Sequence, residues 1–66
     1  MEAGDLRVFT NFAITPHGRM FMAGQSIVLL RPDPHQLPYR RWYILIEGNE
    51  EICDEFTIER YTVESR

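Results

Sequence analysis

Few side chains in this 66-residue chain could do chemistry, and they lie apart. His17, His35 and Cys53 are the candidate ligands for a soft metal, yet no two of them stand at ligand spacing. His17 falls in a turn and His35 in an exposed loop, so no metal and no cofactor is expected. Cys53 sits among Glu50, Glu51, Asp54 and Glu55. Negative charge nearby raises a thiol's pKa and suppresses the nucleophilic thiolate, so core packing is the better reading of this residue. Ser26 and Ser65 have no local base partner. The carboxylates crowd between Glu47 and Glu59, the pattern of a solvated acidic face. All seven basic residues are arginine, and the lack of lysine removes Schiff-base chemistry. No catalytic set emerges, and the chain is expected not to be an enzyme.

Recognition is the better prospect. The stretch from Leu30 to Gly48, LRPDPHQLPYRRWYILIEG, brings together Arg31, His35, Tyr39, Arg40, Arg41, Trp42 and Tyr43. Guanidinium groups hold carboxylates or phosphates through paired donors, and aromatic faces stack on bases or prolines. Alternation along a strand points Trp42 with Ile44 and Ile46 into a core, and Arg41 with Tyr43, Leu45 and Glu47 the other way. Arg31, His35, Tyr39, Arg40, Arg41 and Tyr43 are therefore the candidate partner-binding residues. The competing expectation is internal pairing of Arg40 and Arg41 with Asp54 and Glu55. A second candidate is Met20-Phe21-Met22, which cannot all face one core. Either Phe21 or the methionine pair must emerge, and an exposed apolar strand invites self-association.

The elements that position these residues read as β throughout. Leu6, Val8, Thr10, Phe12 and Ile14 alternate, so they share one face of a strand. Thr15-Pro16-His17-Gly18 is a tight turn, and Arg19 to Ala23 returns as a second strand. Gly24-Gln25 marks a bend. Ser26 to Arg31 carries the apolar run IVLL and is expected to be a strand covered on both sides. Pro32, Pro34 and Pro38 make residues 32–38 a stiff irregular loop. Tyr39 to Glu47 is the clearest strand. Gly48-Asn49 signals a hairpin that would set Leu45 against Ile52, Ile44 against Cys53 and Glu47 against Glu50. The tail is expected to hold one short 3₁₀ or helical turn near residues 55–59, then a last strand through Tyr61 and Val63.

The order WYILIE, GN, EEICD, EFTIE, RYTVE resembles the second half of SH3-like barrels: a strand, a tight turn, a strand, a short helical turn and a closing strand. The resemblance covers the last third of the chain. It implies a single all-β domain over residues 1–66, a five- to six-stranded, partly open small barrel. It implies no particular function, because this architecture serves many.

Composition narrows the setting. A lone cysteine excludes an internal disulfide, MEAGDLRV does not read as a signal peptide, and IVLL is the longest apolar run. A cytoplasmic protein without a membrane partner is expected. Residues 1–46 carry a net charge of +2 and residues 47–66 a net of −5, which gives the overall −3. Such a balance makes a poor general binder of nucleic acid. The leading expectation is a non-enzymatic protein-interaction module, a small adaptor or regulatory subunit that binds a protein partner or its own copy. The alternative is single-stranded nucleic-acid binding by the arginine-aromatic residues 39–43.

Overall fold

The computed structural model describes residues 1–35 and 38–65. Seven short strands and one helix follow in the order β1 (Leu6–Phe9), β2 (Ala13–Ile14), β3 (Met20–Phe21), β4 (Ser26–Pro32), β5 (Arg41–Ile46), β6 (Asn49–Asp54), α1 (Glu55–Tyr61) and β7 (Thr62–Glu64). Five strands form one antiparallel sheet in the order β6-β5-β4-β1-β7, and β2 and β3 form a separate hairpin. The accessible surface is 4365 Å², close to the roughly 4,400 Å² expected of a folded monomer of this mass. The core is therefore closed within one chain.

The expected barrel does not form. β6 and β7 are the two edges of the five-stranded sheet and do not pair with each other. The seven residues of α1 join them. A helix of that length rises about 10 Å, whereas four flat inter-strand spacings amount to about 19 Å. The sheet must curl to bring its edges within reach, and α1 stands between those edges in place of a closing ladder.

The inner, concave face of the sheet carries Phe9, Ile27, Leu29, Trp42, Ile44, Ile46 and Cys53, all buried. The β2–β3 hairpin and α1 cover it, contributing Ala13, Phe21 and Ile58. Phe21 stacks on Phe9 with ring centroids 4.6 Å apart. The alternation that places Trp42, Ile44 and Ile46 inside β5 holds throughout.

Several expectations need correction. The alternating set Leu6, Val8, Phe12 and Ile14 faces outward, and the chain between Phe9 and Ala13 leaves the strand. Phe9 and Ala13, the intervening positions, are the buried ones, because an aromatic ring and a small methyl interlock with Phe21. β4 is covered on one face: Ile27 and Leu29 are buried, while Val28 and Leu30 are half-buried on the other side or at the bulge between Leu29 and Arg31. The β5–β6 loop is Glu47-Gly48, closed by the pair Ile46–Asn49. It lies one residue earlier than expected and moves every pairing by two, so Trp42 meets Cys53 and Leu45 meets Glu50. A shift of two preserves the faces. It also takes Glu47 out of its like-charge pairing, at the expense of a positive φ of 49°.

The helical turn expected near residues 55–59 is present and runs on to Tyr61, so the last strand begins at Thr62 instead of including Tyr61. Asp54 is the helix N-cap: the carboxylate accepts from the Thr57 backbone N–H at 2.9 Å and from the Thr57 hydroxyl at 2.7 Å. Glu55 in the first turn and Arg60 in the last suit the helix dipole. At the other end, Arg7 Nε donates to Thr62 Oγ1 at 2.7 Å and ties the helix exit to β1. Of the proline segment, Gln36 and Leu37 lie outside the described residues. Residues 33–35 and 38 are irregular, as expected, but Pro32 still belongs to β4 and residues 39–40 are irregular too, so β5 runs from Arg41 to Ile46 rather than from Tyr39 to Glu47.

Candidate partner-binding surfaces

The arginine-aromatic residues separate into three groups. Arg31 and Tyr43 are cross-strand neighbours on the outer face of the sheet. The Arg31 guanidinium lies 4.3 Å from the Tyr43 ring centroid and also pairs with Glu50. Arg40, Arg41 and His35 gather at the far end of the sheet. Tyr39 turns away to the hairpin tip, where its hydroxyl lies 2.9 Å from His17 Nε2.

The second group is built around Asp33. Its flanking prolines fix the backbone, and its amide donates to the Arg41 carbonyl at 2.9 Å. Its side chain is 2 % exposed. One carboxylate oxygen accepts from the His35 backbone N–H at 3.0 Å and approaches His35 Nδ1 at 3.3 Å; the other meets Arg41 Nη2 at 2.8 Å. The hydrogen bond from the His35 backbone, followed by the His35 and Arg41 side chains, holds the Asp33 carboxyl below the usual carboxylate range. Beside it is a cleft of about 290 Å³ lined by Met1, Pro32, Asp33, Arg40, Arg41, Trp42 and Glu55. Glu55 accepts from the Trp42 indole N–H at 3.0 Å and lies 3.9 Å from Arg40 Nη1. Internal pairing thus holds for Arg40 with Glu55. Arg41 takes Asp33 instead of Asp54, which is committed to the helix cap. Its Nε is buried without a hydrogen-bond partner among the described residues. The cleft is a polar joint whose charges largely answer one another.

Among the described residues two multi-residue apolar surfaces are exposed, besides Phe56 of α1, which is 65 % exposed under the Arg60 guanidinium. On the convex side of the sheet, Leu45, Val28 and Leu6 face one another across three strands, with Val8 opposite Val63 and Ile52 opposite Tyr43. Leu6, Leu45, Ile52 and Val63 are 38–50 % exposed. The other surface is the outside of the hairpin. Ile14 pairs with Met20, and the same register continued by one residue sets Phe12 opposite Met22. These four side chains are 50–58 % exposed.

The self-association candidate is therefore divided. Phe21 is fully buried and is removed from it, because its ring completes the stack on Phe9; Met20 and Met22 emerge, and Phe12 and Ile14 join them. The last two were legible as apolar residues at even spacing from the methionines across the Pro16-His17 turn, once that turn's register is known. Arg19 lies 4.5 Å from the Phe21 ring centroid and binds Glu51 of β6 through two hydrogen bonds of 2.7 and 3.1 Å. That pair clamps the hairpin onto the sheet. It also holds the Glu51 carboxyl below its ordinary range, the Arg19 hydrogen bond being the leading cause.

Cys53 of β6 is buried on the inner face beside Trp42, and burial, followed by Asp54 and Glu51, pushes its thiol up to about 12. A thiol held neutral at physiological pH is no nucleophile. Among the described residues no group of three or more histidine, cysteine, aspartate or glutamate side chains is placed to hold a metal ion, and no helix is long and apolar enough to cross a membrane. No protein-family model matches the chain, and neither the curated proteins nor the solved structures hold a significant match to it.

Proposed function

We propose that the chain is a non-enzymatic protein-interaction module, an adaptor or regulatory subunit that engages protein through the outside of the β2–β3 hairpin. One observation carries this reading: Phe12, Ile14, Met20 and Met22 form a single apolar face, each at least half exposed among the described residues. Such a face is unfavourable in water unless it is used. Unbranched methionines re-pack around a partner with little strain. The paired charges at the Asp33 cleft support a scaffolding role for that end of the molecule, with the exposed guanidinium of Arg40 left to touch a partner's rim. An SH3-like arrangement is the finer architectural reading, supported by the succession of β5, a two-residue turn, β6, α1 and β7 in the last third of the chain.

Retention on immobilised protein tests the reading. A protein held from the native cell extract by the unaltered chain should be lost on Met20→Lys and kept on Leu45→Lys, which alters the convex sheet face. Retention that ignores Met20→Lys sinks the hairpin assignment. Single-stranded nucleic-acid binding through Tyr39 to Tyr43 has less behind it, since Arg31 and Arg41 are each engaged with a carboxylate. Labelled RNA and DNA oligomers at low salt, where phosphate contacts are strongest, should show no binding.

A further inference from the structure

We infer that the occupant of the hairpin face is a second copy of this chain, packed about a two-fold axis. The inference rests on the docking role proposed for that face and adds the partner's identity.

Charge is the first argument. Between Val8 and Leu30 the sequence holds one formally charged residue, Arg19, and that residue is already bound to Glu51. The hairpin is thus a neutral zone on a molecule of net charge −3 whose acidic residues concentrate in 47–64. Two like-charged copies meet with least repulsion through such a zone, and interface centres are depleted of charge in the same way. A foreign partner chosen by electrostatics would instead be drawn to the acidic strand β6 and helix α1.

Area is the second. Four side chains of this size, each at least half exposed, present roughly 400 Å² of apolar surface, within the span of patches that are commonly functional. Burying that surface on both copies removes about 800 Å² before any rim is added, the size of a weak, concentration-dependent contact rather than an obligate one. The hairpin side chains come from two paired strands without a charge among them, whereas the sheet's outer face carries the Arg31–Glu50 ion pair beside its apolar residues. Under a two-fold axis Met20 and Met22 of one copy pack on Phe12 and Ile14 of the other, a thioether-on-aromatic contact that is favourable in its own right. Because each chain closes its own core, the dimer is expected to dissociate without unfolding.

Sedimentation equilibrium of the whole chain, from about 1 µM to about 1 mM, spans the affinities such an area supports. The mass should rise with concentration from 7.8 kDa toward twice that value. Met20→Lys should weaken association at least about 100-fold, Met22→Leu should keep it, and Leu45→Lys should leave it unchanged. Far-UV circular dichroism of each variant at low concentration should match the unaltered chain, since all three positions are exposed. A chain that stays at 7.8 kDa throughout overturns the second copy. The docking role then still holds if a captured protein is lost on Met20→Lys, and falls as well if it is not. Dimers that survive Met20→Lys but dissociate on Leu45→Lys overturn both and move the contact to the sheet.

Discussion

The outer face of the sheet and the outer face of the hairpin are both apolar, and they differ in how they are held. On the sheet, Leu6, Val28 and Leu45 sit in register on three strands whose opposite faces are fixed by Phe9, Ile27, Leu29 and Ile44. The Arg31–Tyr43–Glu50 cluster borders them with charge. On the hairpin, two strands of two residues each carry the exposed face, anchored below by Phe21 and Ala13 and at one side by the Arg19–Glu51 pair. The first surface is bordered by an ion pair; the second lies in a stretch whose one formal charge, Arg19, is paired, and half of its side chains are unbranched methionines. The two surfaces are alike in exposed apolar character and differ in charge and in freedom to re-pack.

The sharpest way to break this comparison is to remove the hairpin's anchor. Phe21→Ala should destabilise the chain by about 3–5 kcal/mol in denaturant titration, whereas Met20→Ala, one residue away, should stay within about 0.5 kcal/mol at concentrations where the chain is monomeric. Equal losses would mean that the two sides of the hairpin are not distinct. On the sheet side, Asp54→Ala removes the cap that starts the helix between the sheet's edges, with an expected loss of about 1–2 kcal/mol. A negligible change would place α1 outside the cooperative unit.

Alkaline pH probes the sheet's inner face. The folded Cys53 thiol ionises only near 12 against an ordinary 9.0, so the unfolded chain loses this proton first as pH rises. Stability should fall through that window by up to about 1.4 kcal/mol per pH unit, a slope that Cys53→Ala should flatten. An unchanged slope would show that the thiol is not sealed on the inner face. The smallest effect concerns the clamp. Glu51 is depressed in the fold, so its contribution is present above its ordinary 4.5 and disappears as pH falls through its lower folded value. The pair is partly exposed and should contribute at most about 1 kcal/mol. Amide exchange of the hairpin should quicken in that acid range before exchange of the sheet, and Glu51→Gln should abolish the difference.

The sequence made β5 legible because Trp42, Ile44 and Ile46 alternate with polar or smaller neighbours inside one uninterrupted strand. The first hairpin was harder. Alternation located a face between Leu6 and Ile14 but not its direction, since both sets of alternate positions contain apolar residues, and only the stack of Phe9 on Phe21 decides which set is buried. The helix was legible as a turn near residues 55–59 but not in its full length: Thr57, Ile58 and Thr62 favour strands locally, and Asp54 reads as one acid among several until its carboxylate is seen on the Thr57 amide. Arg40 and Arg41 could be singled out as chemistry-bearing, whereas Arg41's partner could not, because Asp33 reaches it across a loop. The likeness to a partly open barrel stopped at the edges, where pairing between β6 and β7 depends on curvature that no residue pattern encodes.

The pairing of β1 with β7 has one more consequence. The Ser65 amide donates to the Leu6 carbonyl at 2.9 Å, so the start of β1 and the end of β7 meet at one corner of the sheet. Tension pulling those two points apart would load the bonds between β1 and β7 one after another, like teeth of a zipper, and little force would be needed to part them.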